Sequence, residues 1–203
     1  MQSITSITTF LFNGILISFT TTAIAIYGIY SKLQNFIFMH IYGLMNGMLP
    51  IMAYNYGAKQ KNRVLRVRRY ALLYMVIIMS IGMLVFQVIP SQLLDMFNAS
   101  TSMKEIGIPA LRIISIYFIF EGFCLITQTS FQSLGKGFYS LLCSVLRQIV
   151  ILLPIAYLLS LGNNINYIWI AFPITGIVGS IICWFLWKKV YKNTLLLNLN
   201  III

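Results

Sequence analysis

Residues 59–88 read KQKNRVLRVRRYALLYMVIIMSIGMLVFQV. The first eleven positions carry six cations, Lys59, Lys61, Arg63, Arg66, Arg68 and Arg69; the nineteen that follow, 70–88, carry no charge. About 20 apolar residues in a helix cross a hydrocarbon core. A cationic segment at the border of such a run is where helical membrane proteins keep cytoplasmic charge. The pattern extends through the whole chain. Of 203 residues, 60% are hydrophobic and 8% charged, and the mean hydropathy is +0.90. A soluble domain carries roughly a quarter charged residues, so this composition cannot furnish a water-facing surface. It is also far too apolar for disorder. The fold class is an all-α membrane protein.

Working outward from 70–88, apolar runs predict a six-transmembrane-helix bundle with spans near 1–19, 24–54, 70–88, 110–131, 138–161 and 167–187. An apolar tail occupies 193–203. The first run is read as a span and not a cleaved leader, because the first cation is Lys32. If 59–69 is cytoplasmic, Lys136 and Lys188, Lys189 and Lys192 fall on the same side. That side then holds ten cations, against Lys104 alone on the other, with Lys32, Arg112 and Arg147 inside spans. The bias predicts a multi-pass protein of the cytoplasmic (inner) membrane with both termini inside. The six basic residues most simply set this topology, and contact with anionic lipid is their second role.

The net charge of +11 does not point to nucleic acid, because no basic stripe with interleaved aromatics lies outside the spans. Most catalytic machinery is absent, which makes a membrane enzyme the weakest class: one histidine, three acids, no paired carboxylates and no phosphate-cradling loop beyond Gly135-Lys136-Gly137. The protein is not expected to be an enzyme. Cys124, Cys143 and Cys183 sit far apart in apolar runs, without metal-ligand spacing. They read as packing residues, and neither metal nor cofactor is expected.

Polar groups inside spans are costly and therefore informative. In the second span Asn35, Tyr42 and Asn46 fall on one helical face with Pro50 beyond them, a candidate cavity lining. In the fourth, Glu121, Gln128 and Gln132 make a second stripe; Arg147 lies in the fifth. Glu121 precedes Lys136, at the turn, by fifteen residues, and Arg147 follows it by eleven. The depth offset is roughly 6 Å at the helical rise, within reach of an arginine. Glu121 and Arg147 are therefore candidate ion-coupling residues, or alternatively a structural pair that fixes two helices. His40 reads as a neutral histidine bonded to a neighbouring helix, and Gly176 and Gly179 as close-packing positions.

Residues 43–64, GLMNGMLPIMAYNYGAKQKNRV, closely resemble the end of the eighth helix and the following loop in the multidrug and toxin extrusion (MATE) family. The agreement lies in Gly43, Gly47, Pro50, the run Tyr54, Asn55, Tyr56, Gly57 and Ala58, and Arg63. FQSLGKG at 131–137 resembles the end of the family's tenth helix, GIPALR at 107–112 its start, and LRQIVILLP at 146–154 the eleventh. The resemblance implies one lobe of a transporter built from two six-helix bundles, exporting drugs or other small organic, mainly cationic compounds against H+ or Na+. It implies the second bundle only, with Met1 falling inside the seventh helix, so a missing N-terminal half or a second copy is the expected partner. Some members carry coupling carboxylates in this bundle, near the place of Glu121. A non-transporting remnant and a flippase for lipid-linked saccharides are the alternatives; the NYGA loop speaks against the latter.

The topology is tested by labelling. Cysteines placed at Ser91 or Asn164 should react with an impermeant reagent from outside, and one at Asn62 should not; outside labelling of 59–69 would overturn the orientation.

Overall fold

The computed structural model describes residues 2–162 and 165–197, with side chains from 4 to 194 among them. Asn164 and positions 198–203 of the apolar tail lie outside the described residues. Nearly all of the described chain is helical, without a strand. In order come α1 (Gln2–Ile17), α2 (Thr21–Gly57), α3 (Lys61–Val88), the short α4 (Pro90–Asp95), α5 (Thr101–Ser115), α6 (Tyr117–Ser133) and α7 (Gly137–Val145). A π-helical segment (Leu146–Leu152) leads into α8 (Leu153–Ser160), and α9 (Asn166–Val190) continues as a second π-helical segment (Tyr191–Leu197).

Four helices are long and apolar enough to cross a membrane: α2, α3, Gly137–Ser160 and Asn166–Thr194. The pair α5 and α6, bent by 44°, makes a fifth, and Ile4–Ile17 is a shorter apolar helix. Among the described residues this gives four helices of spanning length, or five if the bent pair is one span, and the first expected span is the shorter helix Ile4–Ile17.

The bend at Ile116 has a local cause. The Arg112 carbonyl, which would accept from Ile116 N–H in a straight helix, accepts instead from Ser115 Oγ at 2.8 Å and from Gln87 Nε2 of α3 at 2.8 Å. Gln87 also donates to Ser115 Oγ at 2.9 Å. Side chains that capture a ladder carbonyl in this way bend helices. In the π-helical segment, Pro154 has no N–H for the Val150 carbonyl, and the chain ahead of it widens. Helix ends are ordinary by comparison. Thr20 Oγ1 accepts from Ala23 N–H at 3.1 Å to cap α2. The α6–α7 turn runs through Gly135 at φ 70°, where Lys136 N–H donates to the Phe131 carbonyl at 2.8 Å.

α6 is the axis of the bundle and packs against α2, α3, α7 and α9. Its close approaches need missing side chains. A Cβ on Gly122 would lie 2.6 Å from Met75 Sδ and 3.0 Å from Met79 Cγ of α3. Beside it an aromatic cluster of Phe12, Tyr27, Tyr30, Phe86, Phe118 and Phe172 joins α1, α2, α3, α6 and α9. Methionine can yield where a rigid side chain cannot. Gly122→Ala should therefore be tolerated, whereas Gly122→Leu should lower stability by about 1–3 kcal/mol as an overpacked interface. Thermal unfolding in detergent reads the difference.

Candidate functional site: a buried carboxylate–guanidinium pair

Four residues apart on α6, Tyr117 and Glu121 face the same side. The Tyr117 hydroxyl donates to Glu121 Oε2 at 2.5 Å. Arg147, on the π-helical segment, forms an ion pair with the same Oε2 through Nη1, and Nη1 also donates to the Tyr117 hydroxyl oxygen. The structure thus brings Glu121 and Arg147 together and adds a tyrosine between them. Glu121 is 7% exposed and Arg147 2%. Such a pair persists away from water only because each charge meets the other and the hydroxyl bridges them.

α9 shapes the space around the three groups. A Cβ on Gly179 would come within 2.8 Å of Arg147 Cδ. One on Gly176 would lie 2.7 Å from the Tyr117 ring and 2.9 Å from Phe120 Cβ. The close-packing reading of these glycines is correct, and what they admit is the arginine stem and the tyrosine ring. Tyr117 was not singled out in the sequence, although its position four residues before the one membrane-buried carboxylate was the available signal.

The remaining candidates divide into two groups. Gln128 and Gln132 lie between helices: Ser144 Oγ donates to Gln128 Oε1 at 3.0 Å, and Gln132 Nε2 donates to Ser140 Oγ at 2.9 Å. With Glu121 they join α6 to the chain from α7 onward along its whole length. Asn35, Tyr42 and Asn46 lie on the exposed side of α2. Tyr42, 45% exposed, is within electrostatic reach of Arg147, so the α2 stripe and the buried pair border the same region. His40 departs from expectation: its Nδ1 lies 3.2 Å from the Phe36 carbonyl of its own helix, not against a neighbour. One turn back is the nearest acceptor for an exposed side chain on that face.

The loop motif is a turn. Asn55 is buried, its Nδ2 donates to the Ile51 carbonyl at 2.7 Å, and its own carbonyl accepts from Gln60 N–H at 2.9 Å. Tyr54 and Tyr56 carbonyls accept from Ala58 and Lys59, and Lys59 takes the left-handed conformation at φ 58°. Tyr54, Gly57, Ala58 and Arg63 are exposed and Tyr56 is half-buried. Deeper in α3, Arg68 stacks 4.0 Å from the Trp187 ring and donates to Thr127 Oγ1 at 3.3 Å. The three thiols, distant in sequence, are all buried and free, and Cys124 Sγ lies 3.8 Å from Ser180 Oγ of α9. Among the described residues no group of His, Cys, Asp and Glu is arranged to hold a metal ion.

The class these elements define is an all-α membrane protein, a helical bundle with a buried charge pair. The MatE family model matches residues 1–158, and the chain belongs to this family, the multidrug and toxin extrusion transporters. It is similar to the multidrug export protein MepA of Staphylococcus saprophyticus, 24% identical over 182 residues that make up 90% of this chain and 38% of MepA. Similarity extends to the FAD transporter of Shewanella oneidensis, 20% identical over 169 residues, 83% of this chain and 37% of that protein. The Vibrio cholerae MATE transporter VcmN in its bent form has the same fold, with a TM-score of 0.90 at 22% identity over 96% of this chain and 44% of VcmN. A MOP superfamily transporter from Pyrococcus furiosus gives a TM-score of 0.88 at 22% identity, with the same coverage of 96% and 44%. The chain spans less than half the length of the relatives it matches.

The pair predicts an asymmetric mutational cycle. Arg147→Gln strands a buried carboxylate and should cost about 3–5 kcal/mol of stability. Glu121→Gln combined with Arg147→Gln should recover most of it, because no unpaired charge is then left. Thermal melts of the variants in detergent measure the cycle.

Proposed function

We propose that the chain forms one lobe of a MATE-type antiporter of the cytoplasmic membrane, in which Glu121 couples export of small organic compounds to H+ or Na+. The observation that carries this reading is the Glu121–Arg147 pair bridged by Tyr117, with Arg147 carried on a π-helical segment. Asp95 pairs with Lys104 and Glu105 is exposed, so Glu121 is the acid that the bundle encloses. A proton or sodium ion arriving at Glu121 cancels or shares its charge, and Arg147 then loses its counter-ion. Arg147 sits where the helix is already wide, ahead of Pro154, so a small change of helical register redirects it toward the α2 face. The ion state of Glu121 is thereby passed to the wall of the path through this single guanidinium.

The complementary lobe, supplied by the rest of a longer chain, a separate chain or a second copy, covers the α2 face in this reading. Asn35, Tyr42 and Asn46 become the wall of the path. That face carries amides, a phenol and aromatic rings, and no Lys or Arg between Lys32 and Lys59. It suits uncharged or cationic organic compounds better than phosphate-bearing ones. This favours multidrug export, the activity in MepA's name, over carriage of FAD or lipid-linked saccharides.

Two measurements test the proposal. Glu121→Gln in the transporting assembly should abolish gradient-driven efflux of a cationic dye while protein level and dye binding stay near wild type. Normal pumping by this variant would make the pair purely structural. Collapsing the H+ and Na+ gradients in turn identifies the ion. Expressed without a complementary lobe, the chain should give no drug resistance above background, and resistance in that setting would point to a homodimer.

A further inference from the structure

The end of α2 and the first turns of α3 border two adjoining hollows that are open to the outside. One, of about 620 Å³, lies among residues from Lys59 to Arg66. The second, of about 360 Å³, is lined by Asn55, Arg63, Arg66, Val67 and Tyr70. Arg63 and Arg66 line both, and both side chains are exposed. Among the described residues no carboxylate answers them: Asp95 pairs with Lys104, Glu121 pairs with Arg147, and Glu105 lies on α5, which packs against α4 beyond the far end of α3. Cationic hollows without a protein counter-charge are where an external anion is held.

The helix face below the hollow indicates which anion. Arg63, Arg66 and Tyr70 follow one another at steps of three and four, and Leu73, Ile77 and Ile81 continue the same face. Tyr70, Leu73, Ile77 and Ile81 are 48–58% exposed. From Tyr70 to Ile81 the helix rises by roughly 16 Å, about half the hydrocarbon thickness. The face is therefore guanidinium at the border, a phenol at the interface and bare aliphatic side chains for the depth of one leaflet. A free phosphate ion would use only the first of these.

We propose that Arg63 and Arg66 bind the phosphate of an anionic phospholipid, with Tyr70 at the glycerol level and the acyl chains against Leu73, Ile77 and Ile81. Guanidinium groups hold phosphate oxygens in a two-pronged geometry that a lysine cannot reproduce. The site rests on α3 spanning the membrane and not on the transport reading, so it stands or falls separately from Glu121.

Native mass spectrometry of the purified chain in detergent tests it, with phosphatidylglycerol, phosphatidylcholine and inorganic phosphate as the added probes. Phosphatidylglycerol should bind, and binding should weaken about tenfold in the R63Q/R66Q variant through loss of two charge-assisted contacts. The K136Q/K192Q variant removes the same charge from elsewhere on the chain and should change binding less than about twofold. Arg66→Gln alone, at an exposed position, carries the test if the double variant does not fold. Equal weakening in both double variants would overturn the proposal, as would equal retention of phosphatidylcholine. Displacement of the lipid by inorganic phosphate at matching concentration would show a free-anion site and overturn it too.

Discussion

A carboxylate and a guanidinium buried together in a bundle made for hydrocarbon constrain everything around them. Each of Glu121 and Arg147 offsets the cost of burying the other, since an isolated charge there costs several kcal/mol. Their contact fixes the depth at which α6 meets the chain beyond α7, and the Tyr117 hydroxyl bridges the two charges. The two glycines of α9 stand where a side chain would collide with the arginine stem and the tyrosine ring. Gln128–Ser144 and Gln132–Ser140 extend the same polar seam toward the turn at Gly135. In a lipid environment, where apolar surface gives little preference for one helix neighbour over another, such polar seams and small residues specify the partners.

The seam also joins regular helix to irregular backbone. α6, α3 and α9 meet through glycines and buried aromatic or sulfur-bearing side chains. Arg147, by contrast, is carried by a π-helical stretch ahead of a proline, and α5 joins α6 through a 44° bend. Irregular backbone of this kind has more than one hydrogen-bond register of similar energy. Placing the charge pair at the junction between the regular and the irregular parts gives a change of charge a structural lever.

Much of this was legible in the sequence. Composition and the border at Tyr70 define a helical membrane protein, and counting residues on either side of Lys136 places Glu121 and Arg147 at nearly the same depth. The stripe of Glu121, Gln128 and Gln132 follows from helical periodicity alone. Other features depend on neighbours that no local pattern reveals. The bend at Ile116 is made by Gln87, 29 residues earlier on another helix, capturing a carbonyl. Tyr117 was overlooked because a tyrosine in an aromatic-rich span reads as packing until its hydroxyl is seen between two charges.

The central claim is that the charge state of Glu121 changes when substrate or ion binds. Infrared difference spectroscopy of the purified, transport-competent assembly reads this directly. On adding substrate, or on changing pH or sodium, a carboxyl or carboxylate band should appear or shift in the wild type and be missing in the Glu121→Gln variant. Identical difference spectra from the two proteins would contradict the account.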